Sequence, residues 1–354
     1  MKRQSNIELL RIFAIIGVVF LHYYNSSIGG ASVLVEYNSV NFFVLNFFES
    51  TCICAVNIFV LICGYFLSRT YSRNLIKPIQ LAIQVVAINV GYYLLCAIRV
   101  RDFDIKELLY SFVPSNWFLI LYIVLFVFSP YINIVMETLS IKKFKQLIVL
   151  SLVVFSVVPT FFDLFAEIFN RNFQISPIGI QGNQEGYTIV NFILMYLIGG
   201  FLAKCDLGRI KAKTIVMLLV FNIVVIFAFL YIDKKVALEY CNPFVISEAV
   251  LFFLLSSKMQ VKTNRFINAM AKGTFSVFLL HFYFYDFINI GYFVHQNAAI
   301  LVAHVIISSC IIYLSCWVLG YIYEKVTTPA YKCISRKYPA LVWNLREENR
   351  TKPR

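Results

Sequence analysis

The chain alternates between long apolar runs and short polar segments that hold most of its lysines and arginines. An α-helix needs about 20 mostly apolar residues to cross the hydrocarbon core of a bilayer. Runs of that kind predict ten membrane-spanning helices, over residues 7–27, 41–67, 79–98, 116–136, 146–166, 187–203, 214–232, 243–257, 274–290 and 299–323. The second run is long enough to suggest a tilted or broken helix. The pattern therefore predicts an all-α, polytopic transmembrane helix bundle.

The positions of the basic residues predict the orientation of this bundle. If the N-terminus is cytoplasmic, 25 of the 31 lysines and arginines fall in cytoplasmic segments and 6 fall in outer loops. Cytoplasmic loops of membrane proteins are enriched in Lys and Arg. The count thus favours ten spans with both termini in the cytoplasm. The longest outer loop lies over residues 167–186.

The composition agrees with a single membrane domain. The chain is 60% hydrophobic and 14% charged, whereas soluble domains are about a quarter charged. We therefore predict one transmembrane domain over 1–323 and a basic cytoplasmic tail over 324–354. The net charge of +13 would suggest nucleic acid in a soluble protein, but here the charge lies in loops, so membrane lipid is the expected partner and nucleic acid is not.

The cysteines and histidines predict no metal site. Nine cysteines show no paired spacing, and most lie inside apolar runs. The four histidines have no acidic or cysteine neighbours at ligand spacing. A disulfide framework or a bound metal is not expected.

The first apolar run carries the most informative polar residues. The segment "RIFAIIGVVFLH" has Arg11 at one end and His22 at the other. Eleven residues are close to three helical turns, so both side chains share one face, separated by about 16 Å of rise. Glu8 precedes Arg11 by three residues, the spacing of an ion pair on a helix. For Arg11, a role as a membrane anchor is about as compatible with the sequence as a role in a functional site. The same holds for His22 and a role in packing between helices.

Five segments resemble a known family. The motif "NIELLRIFAIIGVVFLH" resembles the first helix of the acyltransferase family 3 membrane proteins, which has a basic residue, ten residues and then a histidine. Similar segments follow in order: "VNIFVLICGYFL", "NWFLILYIVLFVFSPYIN", "GYTIVNFILMYLIGGFL" and "INAMAKGTFSVFLLHFYFY". Two departures are visible. Cys63 replaces the usual Ser before Gly64 and Tyr65, and the basic residues after the second helix are four apart instead of three. Gly64 itself is expected to let another helix approach closely.

The resemblance implies an activity and a location. It implies an integral enzyme of the bacterial cytoplasmic membrane that moves an acyl group, usually acetyl, from cytoplasmic acyl-CoA to a hydroxyl of an extracytoplasmic polysaccharide or its lipid-linked precursor. Imidazole suits proton removal from a hydroxyl near neutral pH. His22 would then act as the base or as an acyl carrier, and Arg11 would bind phosphates of the donor.

Further candidates extend this site. Glu49 is a second catalytic candidate, expected to orient His22. Arg69, Arg73 and Lys77 are candidates for phosphate contacts, although each equally suits an ordinary basic loop. The expected substrate-contacting or supporting residues are Glu8, Asn57, Trp117, Tyr122 and His281. For Trp117 and Tyr122 an interfacial aromatic belt is the plainer interpretation. For His281 the resemblance favours a site role, and a packed interhelical histidine is equally compatible with the sequence.

Other functions remain open at this point. A polysaccharide or small-molecule transporter also fits ten spans with polar residues at depth, although we see no repeated halves. A polysaccharide polymerase fits less well, because the longest outer loop carries only Arg171. The sequence does not indicate the oligomeric state.

Overall fold

The computed structural model describes residues 3–171, 176–338 and 341–344, and these are almost entirely helical. In chain order the helices are α1 (Ser5–Tyr24), α2 (Ala31–Leu34), α3 (Val40–Cys52), α4 (Ala55–Leu67), α5 (Ile76–Val100), α6 (Ile105–Ser111), α7 (Trp117–Thr138), α8 (Ile141–Leu152), α9 (Val158–Ile168), α10 (Ile189–Leu202), α11 (Ala212–Phe229), α12 (Lys234–Ala237), α13 (Pro243–Lys258), α14 (Arg265–Lys272), α15 (Thr274–Leu280), α16 (Ile290–Phe293) and α17 (Ala298–Lys337). Two short strands, β1 (Ser72–Asn74) and β2 (Val342–Asn344), pair antiparallel.

The predicted all-α transmembrane bundle is confirmed. Within the described residues, seven helical segments are long and apolar enough to cross a bilayer: Ser5–Tyr24, Val40–Leu67, Ile76–Val100, Trp117–Thr138, Ile141–Ile168, Ala212–Phe229 and Ala298–Lys337. Each of them matches one of the predicted spans. The number of ten spans and the cytoplasmic termini stay predictions.

Three predicted spans correspond to shorter helices. The runs 187–203 and 243–257 form α10, with 14 residues, and α13, with 16 residues. At 1.5 Å per residue these rise about 21 and 24 Å, less than the roughly 30 Å of a hydrocarbon core. The run 274–290 forms α15 and then a 3₁₀ helix over His281–Phe287. That segment is rich in aromatic residues, which lose side-chain freedom in an α-helix.

Two of the membrane-crossing segments contain an irregularity. The second segment is interrupted by a turn at Ile53 and Cys54, between α3 and α4, as its length suggested. The segment Ile141–Ile168 contains a π-helical turn over Val153–Val157. Such π-turns inside α-helices are frequent near functional sites.

The described residues form two compact units, and each is considered by itself. The first contains the chain up to Leu67 and Leu139–Tyr321. In it α1 packs against α3, α4, α13, α14 and α15. Helices α4 and α10 approach most closely at Gly64 and Gly199. A Cβ on Gly64 would lie 2.2 Å from the Tyr196 carbonyl oxygen, and one on Gly199 would lie 2.1 Å from the Leu61 carbonyl oxygen. Gly64 therefore allows the close helix contact that its sequence context suggested.

The second unit contains Ser68–Thr138 and the described chain from Ile322 onward. It includes α5, α6, α7, the end of α17 and the β1–β2 ribbon. The described part of the predicted tail over 324–354 is helical up to Lys337 and then supplies β2, whose Val342 pairs with Asn74. Residues 345–354 of that tail lie outside the described residues, and the domain boundary at 323 stays a prediction.

Candidate active site

Helix α1 brings Glu8, Arg11 and His22 into the first unit. Its apolar residues are largely buried, including Ile15 and Val19 at 0% exposure. The helix has no side-chain N-cap, and Glu8 lies in its first turn, where a negative charge interacts favourably with the helix dipole. A largely buried, regular helix therefore carries Glu8 and Arg11 in its first half and His22 near its end.

His22 lies beside a second histidine. The ring centroids of His22 and His281 are 5.0 Å apart, and the Phe282 ring lies 4.6 Å from that of His22. The Nδ1 atom of His22 is buried and has no hydrogen-bond partner among the described residues. One nitrogen of this imidazole is thus uncommitted within the described chain.

His281 is fixed in one orientation. Its side chain is fully buried, and Nδ1 donates to the Val277 carbonyl oxygen at 2.9 Å, because a carbonyl can only accept. Nε2 is then the unprotonated nitrogen of the neutral ring, and it has no hydrogen-bond partner within the described part of the chain. The neighbouring 3₁₀ turns are tied to α1, since the Tyr285 hydroxyl donates to the Val19 carbonyl oxygen. The two histidines therefore form a pocket of uncommitted ring nitrogens, which we call the histidine pair.

Glu49 pairs with a lysine, and not with His22 as expected from the sequence. Its carboxylate lies 2.9 Å from Lys234 Nζ, and the same ammonium lies 4.5 Å from the Tyr24 ring centroid. A carboxylate bonds more strongly to an ammonium ion than to a neutral imidazole, which explains this pairing. Among the described residues no hydrogen bond joins Glu49 to His22, so the expected triad geometry is absent.

The other end of α1 carries a charged cluster. Glu8 is 3% exposed, and its carboxylate lies 3.6 Å from Arg11 Nη1 and 3.7 Å from Arg3 Nη1. The ion pair expected from the three-residue spacing is therefore present. The Arg11 guanidinium lies 5.9 Å from the Phe66 ring centroid, and Arg3 and Phe66 line a cavity of about 470 Å³. Arg3 is a site candidate that the sequence did not single out.

A larger polar cavity lies at the His22 end of α1. It measures about 720 Å³ and is lined by five carboxylic acids, four amides and two basic residues: Asp163, Glu167, Glu185, Asp233, Glu239, Asn170, Gln181, Asn183, Gln184, Arg171 and Lys235. The Asn183 amide donates to Asp163 at 2.7 Å and to Glu239 at 2.8 Å. Lys235 lies next to Lys234, which contacts Tyr24 two residues after His22. Residues 172–175 of the predicted outer loop lie outside the described residues.

Two further polar residues are buried in the bundle. Asn57 donates to the Tyr240 carbonyl oxygen at 2.8 Å and accepts from Asn191 Nδ2 at 3.1 Å, so it links α4 to α10 and to the loop before α13. Glu248 in α13 is 0% exposed, and neither carboxylate oxygen has a hydrogen-bond partner among the described residues. Asn57 supports helix packing, whereas Glu248 has no evident packing role.

The remaining candidates lie in the second unit. Arg73 is 3% exposed and donates to Ser129 Oγ at 2.8 Å and Thr70 Oγ1 at 2.8 Å, so it stabilises that unit from within. Arg69 and Lys77 are exposed. Trp117 begins α7 and is 36% exposed, and Tyr122 stacks on Phe118. Phosphate or substrate contacts by these residues stay predictions.

The family assignment rests on a comparison of the whole sequence. The profile of the acyltransferase domain of family 3 matches residues 4–321. The chain belongs to acyltransferase family 3. No curated protein and no solved structure matches it. The matched residues include the histidine pair, Arg11 and Glu248. The family match and the apolar helices together indicate that this acyltransferase is a multi-pass membrane protein. No group of three His, Cys, Asp or Glu residues in the described ranges is arranged to hold a metal ion.

Proposed function

We propose that this family 3 acyltransferase is an O-acyltransferase. It transfers an acyl group, most simply acetyl, from cytoplasmic acyl-CoA to a hydroxyl of an extracytoplasmic polysaccharide or its lipid-linked precursor, in a bacterial cytoplasmic membrane. The observation that carries the proposal is the histidine pair, with its uncommitted nitrogens at one end of α1 and a guanidinium cluster at the other.

The chemistry requires one base, which we assign to His22, with the unprotonated Nε2 of the adjacent His281 as a second proton acceptor beside it. His22 takes the proton from the acceptor hydroxyl as its oxygen attacks the thioester carbonyl carbon. The carbon–sulfur bond breaks, and the CoA thiolate leaves and is protonated by the imidazolium. The products are an acyl ester and CoA thiol, with no change of oxidation state. In a two-step variant the imidazole attacks first and carries the acyl group to the hydroxyl.

The donor would be held at the Arg11 end. A guanidinium binds phosphate oxygens through directed, charge-assisted hydrogen bonds. The cavity lined by Arg3 and Phe66 offers a second guanidinium and an aromatic surface beside Arg11. Arg69 and Lys77, which are exposed, remain proposed phosphate contacts of the first cytoplasmic loop, whereas the buried Arg73 would support that loop from within.

The acceptor would be held in the polar cavity at the His22 end. Carboxylates and side-chain amides accept and donate hydrogen bonds to hydroxyls. Because burial raises the pKa of Glu239 and keeps it mostly protonated near neutral pH, four charged acids face two basic groups, and this excess of negative charge favours neutral sugars over uronic acids.

The test of the catalytic role compares His22→Ala with wild-type enzyme in cells that carry the acceptor glycan. We expect acyl ester on the glycan to disappear in His22→Ala and to persist in His295→Ala, which changes an exposed histidine. Normal acylation by His22→Ala would refute the role of His22. If the wild type transfers no acyl group while its deletion stops glycan export, the protein is a transporter and the proposal fails.

The test of the acceptor site uses acyl transfer to soluble glycans by the purified enzyme. Asn183→Ala should raise the KM for neutral N-acetylglucosamine oligomers about tenfold and leave the KM for acetyl-CoA unchanged. Asp102→Asn removes an exposed acid of the second unit and serves as the control. Equal use of oligogalacturonate and the neutral oligomers by the wild type would contradict the proposed electrostatic preference.

A further inference from the structure

Glu248 is a buried carboxyl group to which the mechanism above gives no task. It is 0% exposed, and both of its oxygens lack a hydrogen-bond partner in the described ranges of the chain. An ionisable group at membrane depth without a partner is costly and usually marks a functional site. A partner supplied by a ligand would satisfy it.

Glu248 lies at the level of the middle of α1. Helix α13 packs against α1 and α4. The thiols of Cys52 and Cys54 are the electrostatic neighbours of the Glu248 carboxyl. Cys52 in turn contacts α1, because a Cβ on Gly17 would lie 3.4 Å from Cys52 Sγ. Gly17 is close to halfway between Arg11 and His22, about 9 Å of rise from the first and about 7.5 Å from the second.

Among the described residues the nearest polar group to this carboxyl is the Cys54 thiol, which is at most a weak partner. Thiols are weak donors, and the Cys54 thiol is directed to the Thr51 carbonyl oxygen at 3.9 Å. The turn at Ile53 and Cys54 interrupts the second membrane segment at this level. Irregular backbone at membrane depth occurs where it is buried in protein or lines a cavity, and it accompanies ligand sites in other membrane proteins.

An acyl-CoA bound as proposed would pass this level. Its phosphates would lie near Arg11 and its thioester near His22, joined by an arm that contains two amide groups. In a water-free interior each amide needs a hydrogen-bond partner. A carboxylate accepts from an amide N–H, and a protonated carboxyl also donates to an amide carbonyl oxygen.

We propose that Glu248 binds an amide of the pantetheine arm of the acyl donor, midway between Arg11 and His22. This inference rests on the proposed function, because it takes the donor to be an acyl-CoA. Glu248 would then be a residue that binds the acyl donor. The turn that interrupts the second membrane segment would lie beside the pantetheine arm.

The experiment measures binding and transfer separately on the full chain in lipid nanodiscs. Calorimetry gives the Kd of CoA and of pantetheine, and a transfer assay gives kcat/KM for acetyl-CoA and S-acetylpantetheine. Glu248→Leu should weaken CoA and pantetheine alike, by more than tenfold. Glu248→Gln keeps an amide able to bond the arm and should stay within about threefold of wild type. Arg11→Ala should weaken CoA but not pantetheine, and the exposed Glu324→Gln should change neither.

A thermal unfolding scan separates binding from packing. An unpartnered carboxyl is better replaced by an apolar side chain, so Glu248→Leu should unfold at the wild-type temperature or above it. A lower midpoint with unchanged pantetheine binding would overturn the inference in favour of a structural role, as would a wild type that binds CoA but not pantetheine. Binding of both ligands without transfer to any glycan would leave the inference standing and refute the proposed function.

Discussion

The imidazole ring centroids of His22 and His281 lie 5.0 Å apart, although His22 is on the first helix and His281 follows α15 late in the first unit. A hydrogen bond from His281 Nδ1 to the Val277 carbonyl oxygen fixes the orientation of the His281 ring. The sequence predicts one catalytic histidine, His22. In the structure His281 lies beside it, so the site has two ring nitrogens without a hydrogen-bond partner among the described residues, His22 Nδ1 and His281 Nε2.

The first prediction tests the role of His281 Nε2 separately from that of Nδ1, which bonds to Val277. His281→Asn keeps a donor that can reach the Val277 carbonyl oxygen but removes the basic Nε2. We expect the kcat of acyl transfer to fall about 100-fold, the scale of a lost acid–base contribution. His295→Ala is the control, and thermal unfolding should show no change for either variant. Wild-type kcat in His281→Asn would mean that His281 only packs.

The sequence allowed the first helix to be described correctly because helical geometry is local. The spacing of Glu8, Arg11 and His22 depends only on residues per turn, and the Glu8–Arg11 ion pair is present at 3.6 Å. The close contact at Gly64 could also be anticipated, since a small residue in an apolar helix allows another backbone to approach.

The partners of Glu49 and His22 could not be derived in the same way. The Glu49–Lys234 and His22–His281 contacts join segments that are distant in the chain, and they depend on how short helices pack. The end of α15 at Leu280 had no clear signal, because the apolar run continues through the aromatic residues of the 3₁₀ helix. The partners of Glu49 and His22 therefore depend on packing between distant segments, which the apolar pattern of the sequence does not encode.

The second prediction concerns the ion pair of Glu49. Lys234→Met leaves the Glu49 carboxylate without its cation, and because Lys234 is about half exposed the loss should be about 1–2 kcal/mol in the free energy of unfolding. Glu49→Gln should keep kcat within about threefold of wild type, since no hydrogen bond joins Glu49 to His22 among the described residues. Urea or thermal unfolding of both single variants and the double variant gives the coupling energy. A 100-fold loss of kcat in Glu49→Gln would restore a catalytic role.

The third prediction tests the contact between α4 and α10. Gly64→Ala places a methyl group 2.2 Å from the Tyr196 carbonyl oxygen, so the helices must separate. Overpacking of this kind costs about 1–3 kcal/mol, and the thermal midpoint should drop by several degrees. Gly91→Ala is a matched control in α5, where an added Cβ meets no atom within 4 Å and helix propensity favours Ala. Equal midpoints for the two variants would show that the contact at Gly64 is not tight.

The last prediction follows from Glu239 in the loop before α13. Burial, together with the nearby Asp163 carboxylate, raises the pKa of Glu239 to about 8. The folded protein then keeps a proton between about pH 4.5 and 8 that the unfolded chain has released. The contribution of this group to stability should therefore be fully present below about pH 4.5 and be lost as the pH rises to 8, by at most a few kcal/mol.

The Glu239→Gln variant measures this contribution directly. A neutral amide removes the cost of ionising a buried group, so the thermal midpoint of the variant should equal that of wild type near pH 4 and exceed it increasingly up to pH 8. Above pH 8 the difference should become constant, because wild-type Glu239 is then ionised in both states. The exposed Glu324→Gln should show no such divergence. A difference that is the same at pH 5 and pH 8 would mean that Glu239 is already ionised in the folded protein at pH 5.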